Sequence, residues 1–117
     1  MIKNFWKKII LVCGNCHDEE IIMQLIQGPS SLFYACPKYY PENRKQGELA
    51  CPNRINLIDY EKMVDYFSTR LEESLLSGCK ENLTNVTWEY KKTIVFKVIK
   101  HTDEELKISM YNKKAFR

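Results

Sequence analysis

The chain has 117 residues, 44% of them hydrophobic and 28% charged, and a net charge of +3. This is the length of one small domain with apolar content enough for a core, and it excludes a disordered tail. A charge so near neutral does not by itself mark a nucleic-acid partner, and no apolar run approaches the ~20 residues of a membrane helix.

From the N-terminus, Met1 to Val12 sets Lys3, Lys7 and Lys8 around an apolar patch. The patch is too short for a secretion-signal core and lacks a cleavage site of small residues, so the chain reads as cytoplasmic. Within it, Phe5 to Val12 predicts a short strand running into Cys13-Gly14-Asn15-Cys16. Ile21–Gln27 and Leu32–Ala35, separated by Gly28-Pro29-Ser30-Ser31, predict a hairpin that delivers Cys36. Residues 37–50, with Pro37, Pro41 and Gly47, read as an irregular loop closed by Cys51-Pro52.

At Asn56 the period changes. Leu57, Tyr60, Val64, Phe67, Leu71 and Leu75 recur at steps of three and four, predicting an amphipathic helix from about Asn56 to Ser77. Asn56 suits the N-cap, Asp59 and Glu61 the first turn, and Gly78 the stop. The stripe also fits a coiled coil, but it falls short of three to four heptads, which favours packing on a sheet. Three alternating segments follow: Val86-Trp88-Tyr90, Ile94-Phe96-Val98 and Leu106-Ile108-Met110. They predict an antiparallel meander whose apolar face covers Tyr60, Val64, Phe67 and Leu71 of the helix. The predicted class is α+β: a metal-binding ribbon over residues 1–56, then one long helix packed on a three-stranded antiparallel β-meander over residues 57–117, in a single small domain. Charge is split along the chain, −3 over residues 57–77 and +4 over residues 86–117, the latter counting Arg117.

Five cysteines in a reducing compartment indicate metal or redox chemistry rather than a disulfide framework, and the odd number suits four ligands plus one bystander. A Cys-x-x-Cys turn points two sulfurs inward, and Gly14 and Asn15 suit such a turn. Cys36 at a strand end and Cys51 closing the next loop complete a tetrahedron, so Cys13, Cys16, Cys36 and Cys51 are the expected ligands of one structural Zn2+. Metal binding would then supply folding free energy to a polar N-terminal third. Cys13 to His17 also spells the Cys-x-x-Cys-His attachment signature of c-type haem, but that leaves Cys36 and Cys51 without a role. A thioredoxin-like pair lacks its βαβ surroundings, and an iron or iron–sulfur site uses the same four thiolates. Cys79 reads as a free thiol, and His17 as a solvated neighbour or a donor behind the ligands.

The run Cys13-Gly14-Asn15-Cys16, then Phe33-Tyr34-Ala35-Cys36-Pro37-Lys38-Tyr39-Tyr40-Pro41, then Cys51, resembles a four-cysteine zinc ribbon. It is most similar to the C-terminal zinc ribbons of bacterial type I topoisomerases and to GRF-type zinc fingers, over about residues 10–55. In both, an aromatic pair precedes the third cysteine, and both are associated with single-stranded DNA. The chain departs from the topoisomerase pattern in the 14 residues between Cys36 and Cys51, and the Gly/Asn-rich stretch that precedes the GRF aromatic pair is absent.

What the resemblance implies is a small accessory protein that binds single-stranded or distorted DNA or RNA. Stacking would fall to Tyr39 and Tyr40, with one of Phe33 and Tyr34 turned to the core, and phosphate contacts to Lys38, Arg44, Lys45 and Arg54. The rival is a protein-interaction adaptor whose metal is purely structural, docking a larger complex through the acidic helix face or a sheet edge. Neither reading involves an enzyme or a small-molecule substrate. The two histidines, His17 and His101, lie far apart, the four glycines are isolated, and four thiolates leave no open metal position.

Overall fold

The computed structural model describes residues 5–115. Lys3 and Arg117 lie outside the described residues. In chain order the elements are β1 (Lys8–Cys13), β2 (Gln24–Gln27), β3 (Leu32–Ala35), β4 (Arg54–Asn56), α1 (Leu57–Leu76), β5 (Thr87–Tyr90), β6 (Ile94–His101) and β7 (Glu105–Asn112). Short 3-10 turns at Gly14–Cys16, Pro37–Tyr39 and Pro41–Asn43 join them. The chain is thus α+β, one long helix with two sheets.

The period-two alternation of β6 and β7 buries Ile94, Phe96 and Val98 with Leu106, Ile108 and Met110, and turns Lys97 out to solvent. Strands β5, β6 and β7 form the expected antiparallel meander. Helix α1 begins where Asn56 Oδ1 accepts the Asp59 N–H at 2.8 Å. It stops at Gly78, which adopts φ +79, with Cys79 N donating to Ser74 O and Gly78 N to Leu75 O. That paired closure needs a left-handed residue, and glycine accepts it without strain. Met63, Val64, Phe67 and Leu71 are buried in one core with the sheet, and Phe67 meets Trp88 edge-on. Leu75, the expected end of the stripe, is exposed. Tyr60 turns to the other sheet, its ring 4.4 Å from that of Tyr34 on β3. The helix therefore bridges both sheets.

Two features differ from the sequence reading. The first is that β1 leaves the N-terminal segment and pairs in parallel with β7, giving the order β1-β7-β6-β5. Its run Ile9-Ile10-Leu11-Val12 does not alternate, and Leu11 and Val12 are buried on opposite sides, as a strand covered on both faces requires. The other is β4, which extends the predicted hairpin to a second sheet of order β2-β3-β4. Ile55 buries its side chain there while Arg54 and Asn56 face solvent.

Candidate metal centre

The N-terminal sequence places four sulfurs from three chain segments at the seam between the sheets. Cys13 ends β1 opposite Met110 of β7, so its side chain lies on the core face. Gly14–Cys16 then makes a 3-10 turn that sits against β7. A Cβ on Gly14 would come within 2.7 Å of Ser109 Oγ and 2.9 Å of the Met110 carbonyl group, so only glycine allows this approach. Asn15 fastens the turn by donating to Asn112 O (2.9 Å) and Ala115 O (2.7 Å) and accepting from Asn112 N (2.8 Å). His17 takes the left-handed position that ends the turn, φ 54, and is exposed. Cys36 follows β3 and caps the Pro37–Tyr39 turn, its sulfur accepting the Lys38 N–H at 3.4 Å. Cys51 is drawn in by its N–H to Lys38 O at 3.3 Å.

The four Sγ atoms all lie within 4.8 Å of one another. Cys13 and Cys51 are 3.6 Å apart, Cys16 and Cys36 3.5 Å. These spacings are too long for disulfides, which need about 2.05 Å. Four thiolates held at about 2.3 Å from a tetrahedral ion have edges of about 3.8 Å, so the cluster fits such an ion closely. Cys79, exposed beyond the helix, takes no part.

Charge within the cluster is uneven. Hydrogen bonds from the Cys36 and Cys51 thiols, with Asn53 behind them, pull Cys13 down to about 2 against the effect of burial. Burial, reinforced by the Cys13 charge, pushes Cys16 up to about 12. Cys36 and Cys51 are raised as well, first because each is bonded to Cys13. A cation bound by all four sulfurs displaces their thiol protons, so metal binding is coupled to proton release.

Asn53 was not singled out by sequence reasoning. It is only 1% exposed, and its Nδ2 donates to Cys13 Sγ (3.3 Å) and to Met110 O (3.1 Å). One amide therefore links a ligand to the backbone of β7. An asparagine two residues after a cysteine was the available signal, because a buried amide demands partners.

The residues expected to touch nucleic acid separate into two groups. Tyr39, Tyr40 and Arg54 line one groove of about 500 Å³ beside the metal centre, together with Phe33, Ala35, Pro52 and Asn53. Tyr39 is 54% exposed, and its ring meets that of Tyr40 edge-on at 5.3 Å. The Arg54 guanidinium lies 5.7 Å over the Phe33 ring. Of the aromatic pair before Cys36, Tyr34 faces the core and Phe33 the groove.

Lys38, Arg44 and Lys45 are not among the groove's lining residues. Lys38 is 16% exposed and its Nζ pairs with Glu48 Oε1 at 3.2 Å. Arg44 Nη1 donates to Glu48 O at 3.5 Å, and the Lys45 N–H to Glu48 Oε1 at 3.0 Å, while the Lys45 side chain stays exposed. Glu48 thus organises the loop that was expected to be irregular. Among the described residues no helix is long and apolar enough to cross a membrane. Compared with known protein families, with curated proteins and with solved structures, the chain matches none.

Proposed function

We propose that Cys13, Cys16, Cys36 and Cys51 hold one structural zinc, and that the chain is a zinc-ribbon accessory protein, without catalysis, that binds single-stranded or distorted nucleic acid. One observation carries this reading: Phe33, Tyr39, Tyr40 and Arg54 converge on a single groove whose walls are the chain segments that supply two metal ligands. Four thiolates in a closed tetrahedron favour zinc and leave no position for an activated water. Stacking on aromatic faces is worth about 1–3 kcal/mol per base and tolerates any sequence. The ion fixes the backbone on either side of the groove, so the rings meet a base already positioned. The resemblance to topoisomerase and GRF ribbons points the same way.

With Lys38 and Arg44 held by Glu48, Arg54 is the main cation at the groove. Binding should then be dominated by stacking, with a salt slope of about −0.7 to −1.4 for one or two phosphate contacts. Fluorescence anisotropy with labelled single-stranded oligonucleotides tests this. Tyr39→Ala with Tyr40→Ala should weaken binding by more than tenfold, on the order of two lost stacking contacts, without loss of zinc. A zinc-loaded chain that fails to bind single strands at low salt removes the nucleic-acid reading and leaves the adaptor.

A further inference from the structure

Helix α1 and the open edge of the four-stranded sheet enclose a second groove, of about 620 Å³, away from the metal centre. Strand β5 ends the order β1-β7-β6-β5, so among the described residues no strand pairs with its outer side. Alternate residues of β5 face the helix, which sets Trp88 and Tyr90 along one wall. Tyr66, Thr69 and Glu73 recur at helical spacing along the other, with Asp65 beside them. The floor is aromatic: Tyr66 stacks on Trp88 with centroids 4.1 Å apart and planes 1° from parallel. Trp88 is half-buried, whereas Trp6 is buried.

We propose that this groove binds an extended segment of a partner protein, added as a strand on β5. An apolar side chain of that segment rests against Trp88, and a basic one faces Asp65 and Glu73. The unpaired backbone of an edge strand supplies the main-chain bonds, and a tryptophan at the centre of a groove is a typical anchor. Charge selects the occupant. Arg70 is held by a two-pronged pair to Glu81, with Nε–Oε1 3.0 Å and Nη2–Oε2 3.1 Å, which leaves Asp65 and Glu73 against Lys62 on the wall. With Arg70 neutralised by Glu81, the groove lining keeps a surplus of one negative charge, which disfavours a phosphate backbone and the same wall of a second copy and favours a basic side chain.

The zinc-loaded chain is panned against a displayed library of random linear peptides, and enriched peptides are titrated by tryptophan emission and mapped by amide hydrogen exchange. The expected result is peptides in which basic and apolar residues alternate, shifted Trp88 emission, and slowed exchange over 87–90. Thr69→Arg, an exposed change on the groove wall, should weaken them by about tenfold or more while the melting temperature stays at the parental value. Asp65→Lys with Glu73→Lys should turn the selection toward acidic peptides. No enrichment, equal binding by the Thr69→Arg protein, or protection at Tyr39–Tyr40 instead of β5 overturns the proposal. So does displacement by an oligonucleotide, or concentration-dependent protection of β5 in the chain alone, which would mark a second copy.

Discussion

Replacing Asn53 by alanine tests how far that amide, beside Asn15 and β1 itself, fastens the cysteine cluster to the main sheet. The change deletes a hydrogen bond to the Cys13 sulfur, which is a thiolate when metal is bound, and another to the Met110 carbonyl on β7. A bond to a charged acceptor is worth about 1.5–3 kcal/mol, and a bond between neutral groups about 0.5–1.5 kcal/mol. Because both pass through one side chain and the carbonyl can relax toward other donors, the combined loss should be about 2–3 kcal/mol. Metal affinity should fall by about 10–100-fold, as it does when a group that orients a ligand is removed. Competition against a chromophoric chelator gives the affinity, and urea denaturation of the loaded protein gives the stability. Asn53→Asp should be worse in both assays, since it sets a carboxylate against a thiolate. If Asn53→Ala keeps its metal within about twofold and loses less than about 0.5 kcal/mol, the amide is a bystander and the coupling argued for it is wrong.

Phe67→Ala should cost about 3–5 kcal/mol in urea denaturation, because Phe67 is fully buried between α1 and the sheet; a loss under about 1 kcal/mol would place it outside the core. His101 titration should show in the pH dependence of melting. Leu83 N donates to His101 Nδ1 at 2.9 Å, so the ring must be neutral there, and burial lowers its pKa further. A lowered folded value means that the stabilisation is complete above the unfolded pKa of about 6.5 and is lost as pH falls below it. His101→Gln should flatten the melting profile below about pH 6.5 relative to the parent, and an unchanged slope contradicts the assignment.

Much of the architecture was legible because it obeys a period. The three- and four-residue steps from Leu57 to Leu71, with Asn56 and Gly78 at the ends, define α1 within a residue. The alternation of β6 and β7 shows which face meets it. The clustering of Cys13, Cys16, Cys36 and Cys51 was legible too, since such a spacing of soft donors has few other uses. What stayed hidden depends on contacts far along the chain. Nothing in Ile9-Ile10-Leu11-Val12 distinguishes a strand of the ribbon from a parallel partner of β7 nearly a hundred residues away. β4 is three residues long and shows only one buried side chain. Lys38 and Arg44 look like free cations until Glu48 folds back over them. Alternation says that Phe33 and Tyr34 face opposite ways, but only the pairing of Tyr34 with Ile55 and Phe33 with Asn56 decides which one enters the core.

The metal content of the purified protein, read by elemental analysis alongside native mass spectrometry, tests the central claim most directly. Close to one zinc per chain is expected, retained in Cys79→Ser and His17→Ala and lost in each of Cys13→Ser, Cys16→Ser, Cys36→Ser and Cys51→Ser. A strong chelator should release it together with exchange protection in β1 as well as in the second sheet, because Cys13 ties β1 to the cluster. No bound zinc, iron in its place, or metal binding that survives loss of Cys51 but not of Cys79 would contradict it.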